Sequence, residues 1–141
     1  MQGQTEANKA LVLRYWEEVW NQGKLHLIEE FYAPEAWDPG RHRSFVSAWR
    51  EAFPSCRVVV EAVIAEGDFV VTRYNCEGAV HTGIWEAEIG GLSMAVPSTG
   101  KVIEDHGIAI FRIADGKIVE DRSEWNQLQV AQQLGVVPTS G

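Results

Sequence analysis

Residues 57–65 read Arg-Val-Val-Val-Glu-Ala-Val-Ile-Ala, and the fold turns on them. One set of alternate positions carries Val58, Val60, Ala62 and Ile64, and the other carries Arg57, Val59, Glu61 and Val63. This period of two is that of a half-buried strand. Just upstream the period is 3.6: Phe45, Val46, Trp49 and Phe53 form one stripe of a helix over about 41–53, which Pro54 ends. Before it lies a loop with two prolines, Ala-Pro-Glu-Ala-Trp-Asp-Pro-Gly at 33–40, and a short helix with Leu25, Ile28 and Phe31 on one side. The first segment is also helical, with Thr5 as N-cap, Glu6 at the positive end of the dipole, and Val12, Tyr15, Trp16, Val19 and Trp20 at helical spacing. Asn-Gln-Gly at 21–23 stops it, Gly23 supplying the left-handed residue after the last turn.

Downstream, Glu-Gly-Asp at 66–68 is a turn signal that returns the chain along 69–78 as the second arm of a hairpin. Residues 102–114 and 117–125 form another pair joined by Asp115-Gly116. A short helix over 126–134 places Leu128, Ala131 and Leu134 inward, with Gly135 closing it. Between the hairpins, 81–101 reads as strand followed by loop, although 85–89 also fits a helix. Three N-terminal helices on a curved, mostly antiparallel sheet, with a short C-terminal helix, make an α+β domain. Helices laid across the hollow side of such a sheet leave a cone with an internal cavity. With no repeat or linker, residues 1–141 read as a single domain.

Composition narrows the function. The 141 residues carry 12 Lys and Arg against 20 Asp and Glu, a net charge of −8. Without a basic run, such a chain is a poor partner for nucleic acid or an anionic membrane. No stretch approaches the roughly 20 apolar residues of a transmembrane helix, and the first residues lack a signal-peptide pattern, so a cytoplasmic protein is expected. Cys56 and Cys76 have the spacing of neither a disulfide framework nor a metal site, and read as small strand residues. Six Trp, five Phe and three Tyr either fill a core or line an apolar ligand cavity.

Seven pieces occur in order: Ala-Phe-Pro (52–54), Ala-Glu-Gly-Asp (65–68), His-Thr-Gly (81–83), Pro-Ser-Thr-Gly-Lys (97–101), Gly-Ile-Ala-Ile-Phe-Arg (107–112), Asp-Gly-Lys-Ile-Val-Glu (115–120) and Gln-Gln-Leu-Gly (132–135). Together they resemble the SnoaL-like polyketide cyclases of the nuclear-transport-factor-2-like superfamily. The resemblance implies a homodimer, a deep apolar cavity, and intramolecular aldol closure of a polyketide ester without metal or organic cofactor. It also implies an acid/base Asp after the last strand, in a pattern like Glu-x-x-x-x-Trp-Asp-x-Leu. Here that pattern falls on Glu120, Trp125, Asn126 and Leu128, so an amide stands where the family has its carboxylate. Asn126 cannot act as a general base, yet it can hold an oxyanion or polarise an enolate. The segment between His-Thr-Gly and Pro-Ser-Thr-Gly is longer than in many relatives, and the added stretch from Trp85 to Met94 is expected either to reshape the pocket mouth or to bring in a new catalytic group.

The candidate catalytic residues are Asn126, His106 as its proton-transfer partner, and Arg122 and Glu124, which share strand parity with Asn126. Asp105 has the parity opposite to His106, and only one of the two can face the cavity without a bulge. Candidate substrate-binding residues are Trp16, Tyr32, Trp37, Phe45 and Trp49 from the helices and proline loop, with Arg73, Asn75, Trp85 and Met94 from the sheet side. Trp37 has the weakest reason to be core. His81 reads as structural; His26 and His42 read as surface residues. The expected activity is a cofactor-independent cyclisation, or a related acid/base step, on a hydrophobic, polyketide-derived molecule, with ring closure by acid/base or oxyanion stabilisation or by substrate folding. Rival readings are a noncatalytic binding protein and a limonene-epoxide-hydrolase-like hydrolase, which needs an Asp-Arg-Asp arrangement around a water.

Overall fold

The computed structural model describes residues 2–139, the side chains from residue 3; Met1, Ser140 and Gly141, included in the single-domain reading, lie outside them. Helix α1 (Gln2–Tyr15) runs on as a π-helical turn, Trp16–Asn21, so Thr5 lies inside the helix rather than at its cap. Gly23, at φ +70°, ends this run, and the Arg50 guanidinium donates to the carbonyls of Trp20 (2.6 Å) and Asn21 (3.0 Å) at its close. These are carbonyls a helix end leaves without partners of its own. A 3₁₀ turn, Leu25–Leu27, leads into α2 (Ile28–Phe31). Helix α3 (Pro39–Ala52) begins two residues before the start expected at about residue 41. Asp38 caps it by accepting from the Arg41 amide at 3.0 Å, and Pro39 occupies the first turn, where no donor is needed.

Four strands form the main antiparallel sheet in the order β1 (Arg57–Glu66), β2 (Phe69–Val80), β5 (Val102–Ala114) and β6 (Lys117–Trp125). Both expected hairpins are present. A bulge between Val60 and Ala62 alters the first strand's parity. Beyond it Val63 pairs with inward-facing Thr72, and Ile64 pairs with Val71 and is 66% exposed. Uninterrupted alternation had placed Ile64 with Val58 on one face; the bulge swaps the faces because side-chain direction has period two. The segment between the two hairpins is a third hairpin, a separate two-stranded sheet of β3 (Trp85–Ile89) with β4 (Leu92–Val96), closed by Gly90 and Gly91, both at positive φ. Strand replaces the expected loop after residue 91.

Helix α4 (Gln127–Gln133) packs Val130 and Ala131 inward, with Leu134 just past its end, whereas Leu128 is exposed. The core lies between the concave face of the sheet and the helices: Val12, Val19, Ile28, Phe31, Val46 and Phe53 meet Val70, Ala109, Phe111 and Ile118. Burial of each large apolar side chain contributes about 1.5–3 kcal/mol. Strand β5 shows the resulting division most plainly. Asp105, Gly107, Ala109, Phe111 and Ile113 face in, and His106, Ile108, Ile110 and Arg112 face out.

Candidate active site

A cavity of about 310 Å³ opens between the helices and the concave face. Its wall is aromatic: Tyr15, Trp16 and Trp20 from the first helical run, Trp37 from the proline loop, Phe45 and Trp49 from α3, and Tyr74 and Trp125 from the sheet. Four of the aromatics expected near a ligand (Trp16, Trp37, Phe45 and Trp49) therefore line the cavity. Trp16 lies 4.5 Å from Tyr74 between ring centroids, and Trp49 meets Trp125 edge-on at 5.7 Å. Tyr32 is fully buried behind this wall. Trp85 and Met94 line a neighbouring hollow of about 730 Å³ under the β3–β4 hairpin, which shares Phe45, Trp49 and Trp125 with the first cavity.

Against this apolar wall stand two carboxylates, Asp105 and Asp121. Asp105 sits on β5 opposite Cys76, is 5% exposed, and accepts from the His106 amide at 2.9 Å. Burial pushes its carboxyl up from the ordinary 3.8 to about 6, against the opposing pull of the His106 amide and the Cys76 thiol. Asp121 pairs with Phe111, further along β5, so the two acids stand at different levels of the cavity. It accepts from the Tyr32 hydroxyl and the Ser123 hydroxyl, both at 2.6 Å, and burial raises its carboxyl as well. The two cysteines are free, with Cys56 just ahead of β1 rather than inside a strand. Their thiols share a hydrogen bond that lowers the Cys56 thiol and raises that of Cys76.

The expected polar site forms, but on the other side of the sheet. Asn126 Nδ2 comes within 3.4 Å of His106 Nε2 and also donates to Gln129 Oε1, while His106 Nδ1 meets the Arg73 guanidinium at 2.9 Å. Arg73 is paired with Glu61 at 2.8 Å, and Asn75 donates to the same carboxylate. None of these residues, nor Arg122 or Glu124, lines the cavity. Arg122 and Glu124 pair with outward-facing Ile110 and Ile108. Parity is the reason: Asp105, not His106, takes the inward position on β5, and Asp121, Ser123 and Trp125 take it on β6. Trp125 was the signal available in the sequence, because an inward Trp125 fixes Asp121 as inward too. His42, expected at the surface, is fully buried, with the Trp37 ring stacked over it at 3.9 Å. His81 is buried too, and its Nδ1 pairs with the Thr99 hydroxyl at 2.9 Å, as a structural residue should.

The family model of the SnoaL-like polyketide cyclases matches residues 10–134. The chain belongs to this family. Among solved structures, AclR from Streptomyces galilaeus, a proposed hydroxylase, is 26% identical with a TM-score of 0.78, over 97% of this chain and 86% of its own. A proposed SnoaL-like polyketide cyclase from Jannaschia sp. CCS1 is also 26% identical, with a TM-score of 0.72 over 95% of each chain. TsrD from Streptomyces laurentii shares the fold at 20% identity and a TM-score of 0.76, over 94% of this chain and 97% of its own. No curated protein matches the sequence. No described helix of this family member is long and apolar enough to cross a membrane.

Proposed function

We propose that this SnoaL-like protein is a cofactor-independent, cyclase-type enzyme of natural-product biosynthesis that closes a ring in a hydrophobic, polyketide-derived intermediate. The observation that carries this reading is a pair of carboxylates, buried Asp105 and half-buried Asp121, facing an aromatic cavity with their protonation balance pushed toward neutral. A site that only bound an apolar molecule would gain nothing from taking two acids partly or wholly out of water, which costs stability. In an aldol closure one carboxylate removes the proton α to a carbonyl. The resulting enolate carbon attacks a second carbonyl of the same molecule, and a carboxylic acid returns a proton to the new alkoxide. The step is redox-neutral and conserves protons, so the reading calls for no cofactor. A carboxyl that titrates near 6 is suited to both halves of the exchange. The aromatic wall folds the flexible substrate so that its reacting carbons meet, which is the largest share of an intramolecular closure.

The limonene-epoxide-hydrolase arrangement finds no support, since no arginine is among the described cavity-lining residues. Hydroxylation is the second reading, favoured by the similarity to AclR. The convex sheet face, with Ile64, Ile108 and Ile110 exposed, supports a homodimer, and a cytoplasmic location completes the proposal. The test is incubation with a panel of aromatic β-keto esters, followed by mass spectrometry. Ring closure conserves the substrate mass or loses water, whereas hydroxylation adds one oxygen. Asp105→Asn and Asp121→Asn are each expected to slow closure by about 10²–10⁴-fold. Undiminished closure in both variants overturns the assignment.

A further inference from the structure

His42 is a buried titratable group that the acid/base pair leaves unused. Its Nε2 lies 2.7 Å from the Tyr15 hydroxyl oxygen, and Tyr15 lines the cavity. The Trp20 indole N–H donates to the same oxygen at 2.9 Å. Trp37 stacks on one face of the imidazole, and the Tyr32 ring meets it edge-on at 4.5 Å. His42 Nδ1 is buried with no hydrogen-bond partner. Burial, helped by the nearby Arg43 charge, lowers this imidazole to about 4, so it is neutral at physiological pH and carries one N–H.

That single proton has two possible places, and the surroundings distinguish them. On Nδ1 it would be a buried donor without an acceptor, which native structures rarely tolerate. On Nε2 it donates to Tyr15. With Trp20 and His42 both donating, the two lone pairs of the Tyr15 oxygen are filled. The hydroxyl hydrogen must then be given away. The partner in reach without ligand is the Tyr32 hydroxyl, which itself donates to Asp121 at 2.6 Å. The charged and titratable groups around the phenol are thus His42, Tyr32, Tyr74 and Asp121.

We propose that His42 is a positioning residue that, by donating from Nε2, commits the Tyr15 hydroxyl to act as a hydrogen-bond donor to a carbonyl or enolate oxygen of the substrate. The inference rests on the reading of Asp105 and Asp121 as the acid/base pair and adds the group that receives the developing negative charge. No bond forms or breaks at Tyr15; its hydrogen bond shortens as charge collects on the substrate oxygen.

The direct test is ¹⁵N NMR of the histidines in the whole protein. The expected result is an Nε2–H tautomer for His42, neutral at every pH above about 5; an Nδ1–H tautomer overturns the proposal. The functional test compares Tyr15→Phe, His42→Leu and His42→Gln, the last keeping a donor near the Nε2 position. Tyr15→Phe is expected to lower kcat for ring closure by about 10²–10³-fold, the scale of one lost oxyanion donor, with little change in KM. His42→Leu should fall in the same direction, and His42→Gln should recover most of the loss. 2-Naphthol, an enol mimic, gives a readout independent of turnover: affinity should drop in Tyr15→Phe and His42→Leu and return in His42→Gln. Near-UV circular dichroism confirms that each variant is folded. Wild-type behaviour of His42→Leu, or a His42→Gln no better than His42→Leu, refutes the positioning role. Unimpaired closure in Asp105→Asn and Asp121→Asn would instead remove the base assignment and leave the naphthol result standing.

Discussion

Asp105→Asn is expected to make the protein more stable, and only at neutral or higher pH. In the folded state burial raises the Asp105 carboxyl from 3.8 to about 6. Below 3.8 the group is protonated in both states and its burial carries no charge penalty. As pH rises from 3.8 to about 6 the unfolded chain ionises first, so each step favours unfolding. Above 6 the penalty is complete and constant. Converted at the free energy of a tenfold change per pH unit, it amounts to about 3 kcal/mol. Solvent screening does not reduce it much, because the residue is 5% exposed. The asparagine keeps an oxygen for the His106 amide, so the variant should gain about 2–3 kcal/mol at pH 8 and less than about 1 kcal/mol at pH 4. Urea unfolding followed by tryptophan fluorescence at the two pH values measures this, provided the slopes agree. An equal difference at both values, or a variant weaker than wild type at pH 8, refutes the electrostatic reasoning. So does a ¹³C-carboxyl titration that places Asp105 near 4. A stabilised but inactive variant is the signature expected where function is held against stability.

Asn126→Ala and His106→Ala, on the convex face, should leave ring closure within about threefold of wild type; a loss on the 10²-fold scale of a catalytic group would return them to the site. Gly107→Ala should destabilise by about 1–3 kcal/mol in urea, because the added methyl would lie 2.6 Å from Tyr74 Cζ and 2.9 Å from the Glu124 carbonyl oxygen. An unchanged midpoint would mean that the strand can shift. Ile108→Glu, placed in the exposed apolar band, should convert a dimer to a monomer in sedimentation at micromolar concentration; a wild-type monomer would already exclude the dimer. Trp37→Ala should weaken 2-naphthol binding about tenfold, the order of one lost aromatic contact, and unaltered affinity would remove Trp37 from the site.

Local sequence was enough to set the elements and their order. The switch from a 3.6 to a 2.0 period after Pro54, the turn signals at 66–68 and 115–116, and the seven family pieces were enough for the α+β cone and for the family itself. These signals are local, since a period or a turn is written in a few neighbouring residues. Four of the aromatics proposed for ligand binding, Trp16, Trp37, Phe45 and Trp49, do line the cavity, because the helices and the proline loop that carry them cover the sheet.

Which side of each strand faces the cavity depends on how the whole chain packs. Parity leaves two choices, and a single bulge at 60–62 swaps them, so Val63 and Ile64 exchange faces with nothing in their own identities to announce it. The same binary choice moved the polar candidates Asn126, His106, Arg73 and Arg122 to the convex face and brought Asp105 and Asp121 inside. His42 is the extreme case. Its neighbours on α3 suggest a wet helix face, and only the return of the proline loop lays Trp37 over it and brings Tyr15 from α1 to its Nε2. Burial and hydrogen-bond partners are properties of chain segments that meet from a distance. They, rather than residue type, set the protonation of His42, Asp105 and Asp121.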